Sequence, residues 1–166
     1  MSTVHFTDIA VSTSGELPAV GTVLPAFTLV GSDLGDITAA SYPGKRLVLN
    51  IFPSLDTSVC AMSVRRFNAL VAAWPDTVVL CVSKDLPFAM GRFCAAEGLD
   101  SVVTASAFRS SFGEDFGVTM VDGPLRGLLA RAVVIADAAS RVVYTRLSPQ
   151  ITEEPEYDEA ARAVLG

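Results

Sequence analysis

The residues best able to do chemistry in this chain are three cysteines, Cys60, Cys81 and Cys94. The only histidine is His5, near the first residue. That rules out a histidine-rich metal site and leaves no convincing Cys-His or Ser-His-Asp centre. Three cysteines are too few for a disulfide scaffold and too widely spaced for a zinc knuckle. What remains is thiol chemistry, in which the thiolate is the nucleophile. Cys60 is the best placed of the three. It follows the turn Pro53-Ser54-Leu55-Asp56-Thr57-Ser58-Val59, at the start of a helix.

A cysteine in the first turn of a helix meets unpaired backbone N–H groups and the positive end of the helix dipole. Both favour an anion on sulfur. Thr57 is placed either to cap the helix or to turn its hydroxyl toward Cys60 and a substrate. Pro53 fixes the corner between strand and turn and can shield the sulfur from water. Cys60, Val64, Phe67, Val71 and Trp74 recur at helical spacing, so they share one face. Cys60 is then the polar end of an apolar stripe, expected at a pocket mouth. A partly desolvated thiolate needs a compensating cation. Arg131 is the candidate, because it interrupts the apolar run from Leu128 to Ile135 and a charge there is rarely left unpaired.

Local context leaves alternatives open. Cys60 also reads as a small buried hydrophobe, Thr57 as a simple N-cap, and Arg131 as a strand-end residue with its head in water. Cys94 lies 34 positions after Cys60. It sits on a helix flank, beside the stripe Leu86, Met90, Phe93, and taken alone reads as an inert helix cysteine. Cys81 stands mid-strand in Val78-Val79-Leu80-Cys81-Val82 and reads as core filling. Arg65 and Arg66 either assist Cys60 electrostatically or form a solvated face. Met90, Phe93, Phe112 and Phe116 line a pocket, form a dimer surface, or pack the core.

The elements that must position these groups follow from the apolar pattern. Val4 to Val11, around Thr7-Asp8, predicts an N-terminal β-hairpin. Phe27 to Val30 predicts a short strand, with Asp36 to Thr38 pairing back across Gly31 to Gly35. Leu47 to Phe52 and Thr77 to Ser83 are nearly all apolar, the pattern of strands buried on both faces. The helix between them makes a right-handed unit with parallel strands. Pro87 to Glu97 predicts a second helix, with proline in its first turn and Gly98 as its stop. Val102 to Thr104 predicts a short strand and Phe108 to Phe116 a short helix. Leu128 to Ile135 and Arg141 to Leu147 predict an antiparallel pair. Pro155 to Leu165 predicts a last helix, with Tyr157, Ala161 and Val164 inward. This order gives an α/β protein with a thioredoxin-like fold: a central mixed sheet flanked by helices, with the hairpin as an extension.

Composition narrows the function. The chain has 166 residues, 51% hydrophobic and 18% charged, and suits one domain over residues 1–166. A net charge of −6 argues against a nucleic-acid surface and against anionic membranes. No apolar run approaches membrane-spanning length, and residues 1–6 lack a secretory pattern. A cytoplasmic location is expected. A mean hydropathy of +0.47 fits a homodimer.

The pattern Pro53-x-x-x-Thr57-x-x-Cys60 resembles the active-site motif of the peroxiredoxins, in which a strand-borne arginine completes the site. Arg131 matches that arginine. Asn50-Ile51-Phe52-Pro53-Ser54, Arg92-Phe93-Cys94-Ala95-Ala96-Glu97-Gly98, Asp122-Gly123-Pro124-Leu125 and Ala130-Arg131-Ala132-Val133 are similar to the bacterial thiol peroxidases within that family. The similarity runs over nearly the whole chain. Ala61-Met62 departs from the many peroxiredoxins that carry proline after the cysteine. The resemblance implies a thiol-dependent peroxidase acting on hydrogen peroxide and alkyl hydroperoxides. It implies that Cys60 becomes a sulfenic acid, that Cys94 closes an intramolecular disulfide, and that thioredoxin reduces it. No metal or organic cofactor is implied, and the family supports a homodimer. A disulfide oxidoreductase of the thioredoxin type would want Cys-x-x-Cys, but Thr57 and Ser63 stand at those positions. A redox sensor would use the same kind of cysteine.

Overall fold

Two apolar runs dictate the centre of the molecule, and the computed structural model, which describes residues 1–166, places them side by side. Strand β5 is Arg46–Ile51 and β6 is Thr77–Ser83; they pair in parallel, with Leu49 opposite Leu80 and Asn50 opposite Cys81. In chain order the other elements are β1 (Thr3–Phe6), β2 (Ile9–Ser12), β3 (Leu29–Val30), β4 (Asp36–Ile37), α1 (Ser58–Val71) and α2 (Pro87–Glu97). They continue with β7 (Val103–Ser106), α3 (Phe112–Asp115), β8 (Ala132–Ala136), β9 (Val142–Leu147) and α4 (Tyr157–Leu165). Seven strands form one mixed sheet in the order β4-β3-β7-β6-β5-β8-β9. Strands β5, β6 and β7 are parallel, while β8, β9 and β3 run against their neighbours. β1 and β2 form a separate antiparallel hairpin.

Side-chain alternation divides the core. On one face, Leu47, Leu49, Ile51, Leu80 and Val82 pack with Phe27, Phe112 and Phe116. On the other, Val48, Phe52, Val79, Cys81, Val133 and Ile135 pack under Val64 and Phe67 of α1, Met90 of α2 and Ala160 and Val164 of α4. Crossovers from β5 to β6 and from β6 to β7 step the same way across the sheet, so right-handedness puts α1 and α2 on one face. That is what brings the first turns of both cysteine-bearing helices to the same end of the parallel strands. Phe67 is wedged edge-on between Trp74 and Tyr157, at centroid distances of 6.2 and 5.4 Å.

The expected helix over 87–97 is present, and its C-cap Gly98 has a left-handed backbone (φ 67°), which a residue with a Cβ adopts reluctantly. Several boundaries differ. α1 ends at Val71, so Trp74 joins the stripe from beyond the helix. The short helix shrinks to Phe112–Asp115. Leu86 caps α2 and is 50% exposed rather than part of its buried stripe. On α4 the buried small residue is Ala160, with Ala161 half-buried. The run from Leu128 is not one strand. Ala130 N bonds to Val118 O and Met120 N to Leu128 O, so residues 128–130 pair with 118–120. The chain joins the main sheet only at Ala132.

Cys81 is wholly buried in β6, as expected of core filling. Burial pushes its thiol up to about 12, with the Asn50 amide, 3.8 Å from the sulfur, pulling weakly the other way. The folded state therefore holds a proton that the unfolded chain releases near the ordinary value of 9.0. Stability from this group is intact below that value and is lost as pH rises from there toward about 12. Urea unfolding from about pH 8 to about pH 11 should show a steeper alkaline loss for wild type than for Cys81→Ala. The variant should start lower, by the cavity left in the core.

Candidate active site

Strand β5 ends in Phe52, and the chain turns through Pro53 into α1. The turn is tied internally: Thr57 N and the Thr57 hydroxyl both donate to Ser54 O, at 3.2 and 3.0 Å. Thr57 has the extended backbone of an N-cap, yet its hydroxyl makes no capping bond. Thr57 thus holds the N-cap position without a capping side-chain bond, and it borders the same cavity as Cys60. With its proton engaged by Ser54, the hydroxyl oxygen remains an acceptor. The first intrahelical bond runs from Ala61 N to Thr57 O at 3.0 Å. The N–H groups of Ser58, Val59 and Cys60 precede it and are free of backbone acceptors.

Cys60 is wholly buried, at the base of a cleft rather than at its mouth. The cleft holds about 170 Å³ and is bounded by Pro53, Thr57, Cys60 and Arg131, with Phe6, Leu125 and Ile151 completing its wall. Arg131 Nη2 lies 3.3 Å from Cys60 Sγ. The guanidinium is only 1% exposed. Its Nε donates to Ile151 O at 3.0 Å, which fixes the plane of the fork. Nη1 has no partner. No carboxylate pairs with Arg131. The Cys60 sulfur is the one side-chain group placed against this buried cation. Arg131 is the cation that reaches Cys60. It does so from the residue before β8 rather than from within the strand, with its own carbonyl accepting Ser148 N at 2.9 Å.

A second polar chain lies beneath the helix. Ser63 Oγ donates to Cys60 O at 2.7 Å, and the Asn50 amide donates to Ser63 Oγ at 3.1 Å. Arg65 does not approach the sulfur. It makes a two-pronged pair with Glu97, at 2.9 and 3.0 Å, and lies over the Phe93 ring. Arg66 lies over Tyr157. Met90, Phe112 and Phe116 are core residues, and Phe93 is half-buried.

Cys94 is half-buried and opens on a different cavity, of about 550 Å³, at the β4-β3-β7 edge with Asp36, Tyr42 and Thr104. No residue lines both cavities. Burial raises the Cys94 thiol above its ordinary value, and the Thr104 hydroxyl opposes that rise. All three cysteines are free thiols. Phe6, Leu125, Ile151 and Thr152 were invisible as site residues in the sequence. They come from the hairpin and two loops, and no local spacing marks them. Only Leu125 falls in a segment already noted, Asp122-Gly123-Pro124-Leu125.

The site can therefore hold a reactive sulfur under a small apolar cleft, with donors ready for a second polar atom. Comparisons with known proteins agree with that chemistry. The Redoxin family model matches residues 19–161. The chain is 52% identical to a thiol peroxidase of Corynebacterium glutamicum over 99% of each chain. It is 61% identical to a thiol peroxidase of Mycobacterium tuberculosis over 95% of this chain and 94% of that one. Among solved structures it resembles a peroxiredoxin-like protein from Aquifex aeolicus, with a TM-score of 0.94 and 38% identity over 99% of this chain and 96% of that one. The fold and the family model converge with relatives matched over almost their full length, and the chain belongs to the redoxin family, in its branch of bacterial thiol peroxidases.

Proposed function

We propose that Cys60 reduces hydrogen peroxide and alkyl hydroperoxides, that Cys94 resolves the product as a disulfide, and that thioredoxin returns the enzyme to its dithiol state. The observation that carries this reading is the 3.3 Å contact between Arg131 Nη2 and Cys60 Sγ at the base of the cleft. A buried thiol with a dedicated buried cation has little use as core filling, since replacing the cation would relieve a desolvation cost.

In the proposed first step the Cys60 thiolate attacks the terminal peroxide oxygen. The S–O bond forms as the O–O bond breaks, and the electron pair of that bond leaves on the distal oxygen. A proton taken up there completes water or an alcohol, and Cys60 becomes a sulfenic acid. Charge grows on the two peroxide oxygens during the step. Arg131 Nη1, which has no other partner, and the free N–H groups at the start of α1 are donors preorganised for it. The Thr57 oxygen is an acceptor for the peroxide hydrogen. Pro53, with Phe6, Leu125 and Ile151, keeps water from the sulfur.

In the second step the Cys94 thiolate attacks the Cys60 sulfur, and hydroxide leaves and is protonated to water. The two thiols open on separate cavities, and a disulfide needs Cα atoms about 4.4–6.8 Å apart. We infer that the first turn of α1, a portion of α2, or both unwind to bring the two sulfurs together. Gly91 and the exposed end Ala95-Ala96-Glu97-Gly98 make α2 the easier to loosen. A thioredoxin dithiol then takes the disulfide by exchange. The same reading places the protein in the cytoplasm as a homodimer. The exposed Leu86, Phe88 and Phe108 supply apolar surface for the second copy. No helix is long and apolar enough to cross a membrane.

Intact mass after one equivalent of hydrogen peroxide should show wild type losing two hydrogens. Cys60→Ser should not react quickly, and Cys94→Ser should gain one oxygen and then over-oxidise. A disulfide through Cys81, or fast peroxide consumption by Cys60→Ser, would overturn the assignment. Arg131→Met should slow Cys60 oxidation by about 10²–10³. Arg131→Lys should recover only part of that loss, because an ammonium cannot serve Ile151 O, the sulfur and a peroxide oxygen as a planar fork does. Stopped-flow peroxide kinetics on folded protein decides between these outcomes.

A further inference from the structure

One carboxylate outside the cleft is bound more fully than any other in the molecule. Asp85 sits between the end of β6 and the start of α2, and is partly buried. Its Oδ1 accepts the Ser54 hydroxyl at 2.8 Å. Its Oδ2 accepts Leu55 N at 2.8 Å and the Ser83 hydroxyl at 2.6 Å. Asp85 N returns a bond to Ser83 Oγ at 3.2 Å, and Asp85 O accepts the Ser106 hydroxyl. No lysine or arginine pairs with it. A carboxylate held by three neutral donors and no cation serves as a template for the groups that donate to it.

Two of those donors belong to the turn that delivers Cys60. From there the bonds run without a break. Asp85 fixes the Ser54 side chain, which also accepts Asp56 N at 3.1 Å. The Ser54 carbonyl accepts the Thr57 amide and hydroxyl. The Thr57 carbonyl accepts Ala61 N and so starts the helix that aims Cys60 at Arg131. On its other side Asp85 stands two residues before Pro87, where the helix of Cys94 begins. The same side chain therefore joins the turn before α1 to the segment that opens α2.

We propose that Asp85 is a positioning residue for Cys60: it clasps the Pro53–Thr57 turn to the start of α2 and holds the first turn of α1 in the geometry that reacts with peroxide. This rests on Cys60 being the attacking sulfur. The clasp has an opposite effect on the two chemical steps. Attack on peroxide needs the turn in place. Disulfide closure needs one of the two joined segments to move, and the clasp resists that. Asp85 touches neither sulfur, so its removal should separate the two rates, which a general loss of stability would not do.

The two rates are measured apart, on full-length protein. Oxygen gain at Cys60 is followed by rapid-quench mass spectrometry in a Cys94→Ser background, with and without Asp85→Asn. Disulfide closure is followed in the three-cysteine protein after saturating peroxide. Asp85→Asn should slow oxygen gain by about 10- to 100-fold, the scale of an ångström-level misplacement. Disulfide closure should be as fast as in wild type or faster. Ser54→Ala, which keeps the bonds to Leu55 and Ser83, should shift both rates in the same directions by less, and serves if Asp85→Asn does not fold. Oxygen gain at the wild-type rate in either folded variant overturns the proposal, as does equal slowing of both steps. If the parent protein itself gains no oxygen at Cys60, the peroxidase reading fails, and the role of Asp85 with it.

Discussion

The structure depends on how a guanidinium is satisfied away from water. Arg131 is 1% exposed and has no carboxylate partner. An unpaired buried cation is costly by several kcal/mol even after the surroundings relax. Here one nitrogen is held by Ile151 O, a second faces the Cys60 sulfur, and the third is free. Among the side chains of the molecule, only that sulfur is placed against the guanidinium. The free nitrogen remains a donor with no partner in the protein.

Much of this was legible in the sequence because the relevant signals are local. The two doubly buried strands, the proline-initiated helix over 87–97 and the four-three stripe of α1 all follow from short apolar periods. The need for a cation could be inferred as well, since no histidine was near. The exact setting of Arg131 was not legible. The apolar run Leu128 to Ile135 looks continuous, but its first three residues ladder with 118–120 and only the rest joins β5 and β9. The arginine falls at the change of partner. Periodicity registers burial and is blind to which strand a residue bonds.

Nor could the walls of the cleft be read. Phe6 arrives from the hairpin and Ile151 from the segment before α4, and the two are brought together by His5 pairing with Pro149 and Ile151 through backbone bonds. Asp85 is a similar case. In sequence it is one acidic residue in a turn, which any surface loop carries. Its meaning lies in three donors converging from Ser54, Leu55 and Ser83, and the first two are some thirty positions away. Such hubs arise because the parallel strands β5 and β6 deliver their following turns to the same edge of the sheet.

The two cavities carry one more consequence. The cavities of Cys60 and Cys94 share no lining residue, so in the proposed cycle the rearrangement that joins the two sulfurs imposes a delay. During that interval the sulfenic acid remains under the cleft where a second peroxide can enter, and a second oxidation would be irreversible. Survival at high peroxide is then a race between diffusion into a 170 Å³ space and the unwinding of a helical turn. In that proposed cycle, tolerance to peroxide depends on how readily a helical turn opens as much as on the reactivity of the sulfur.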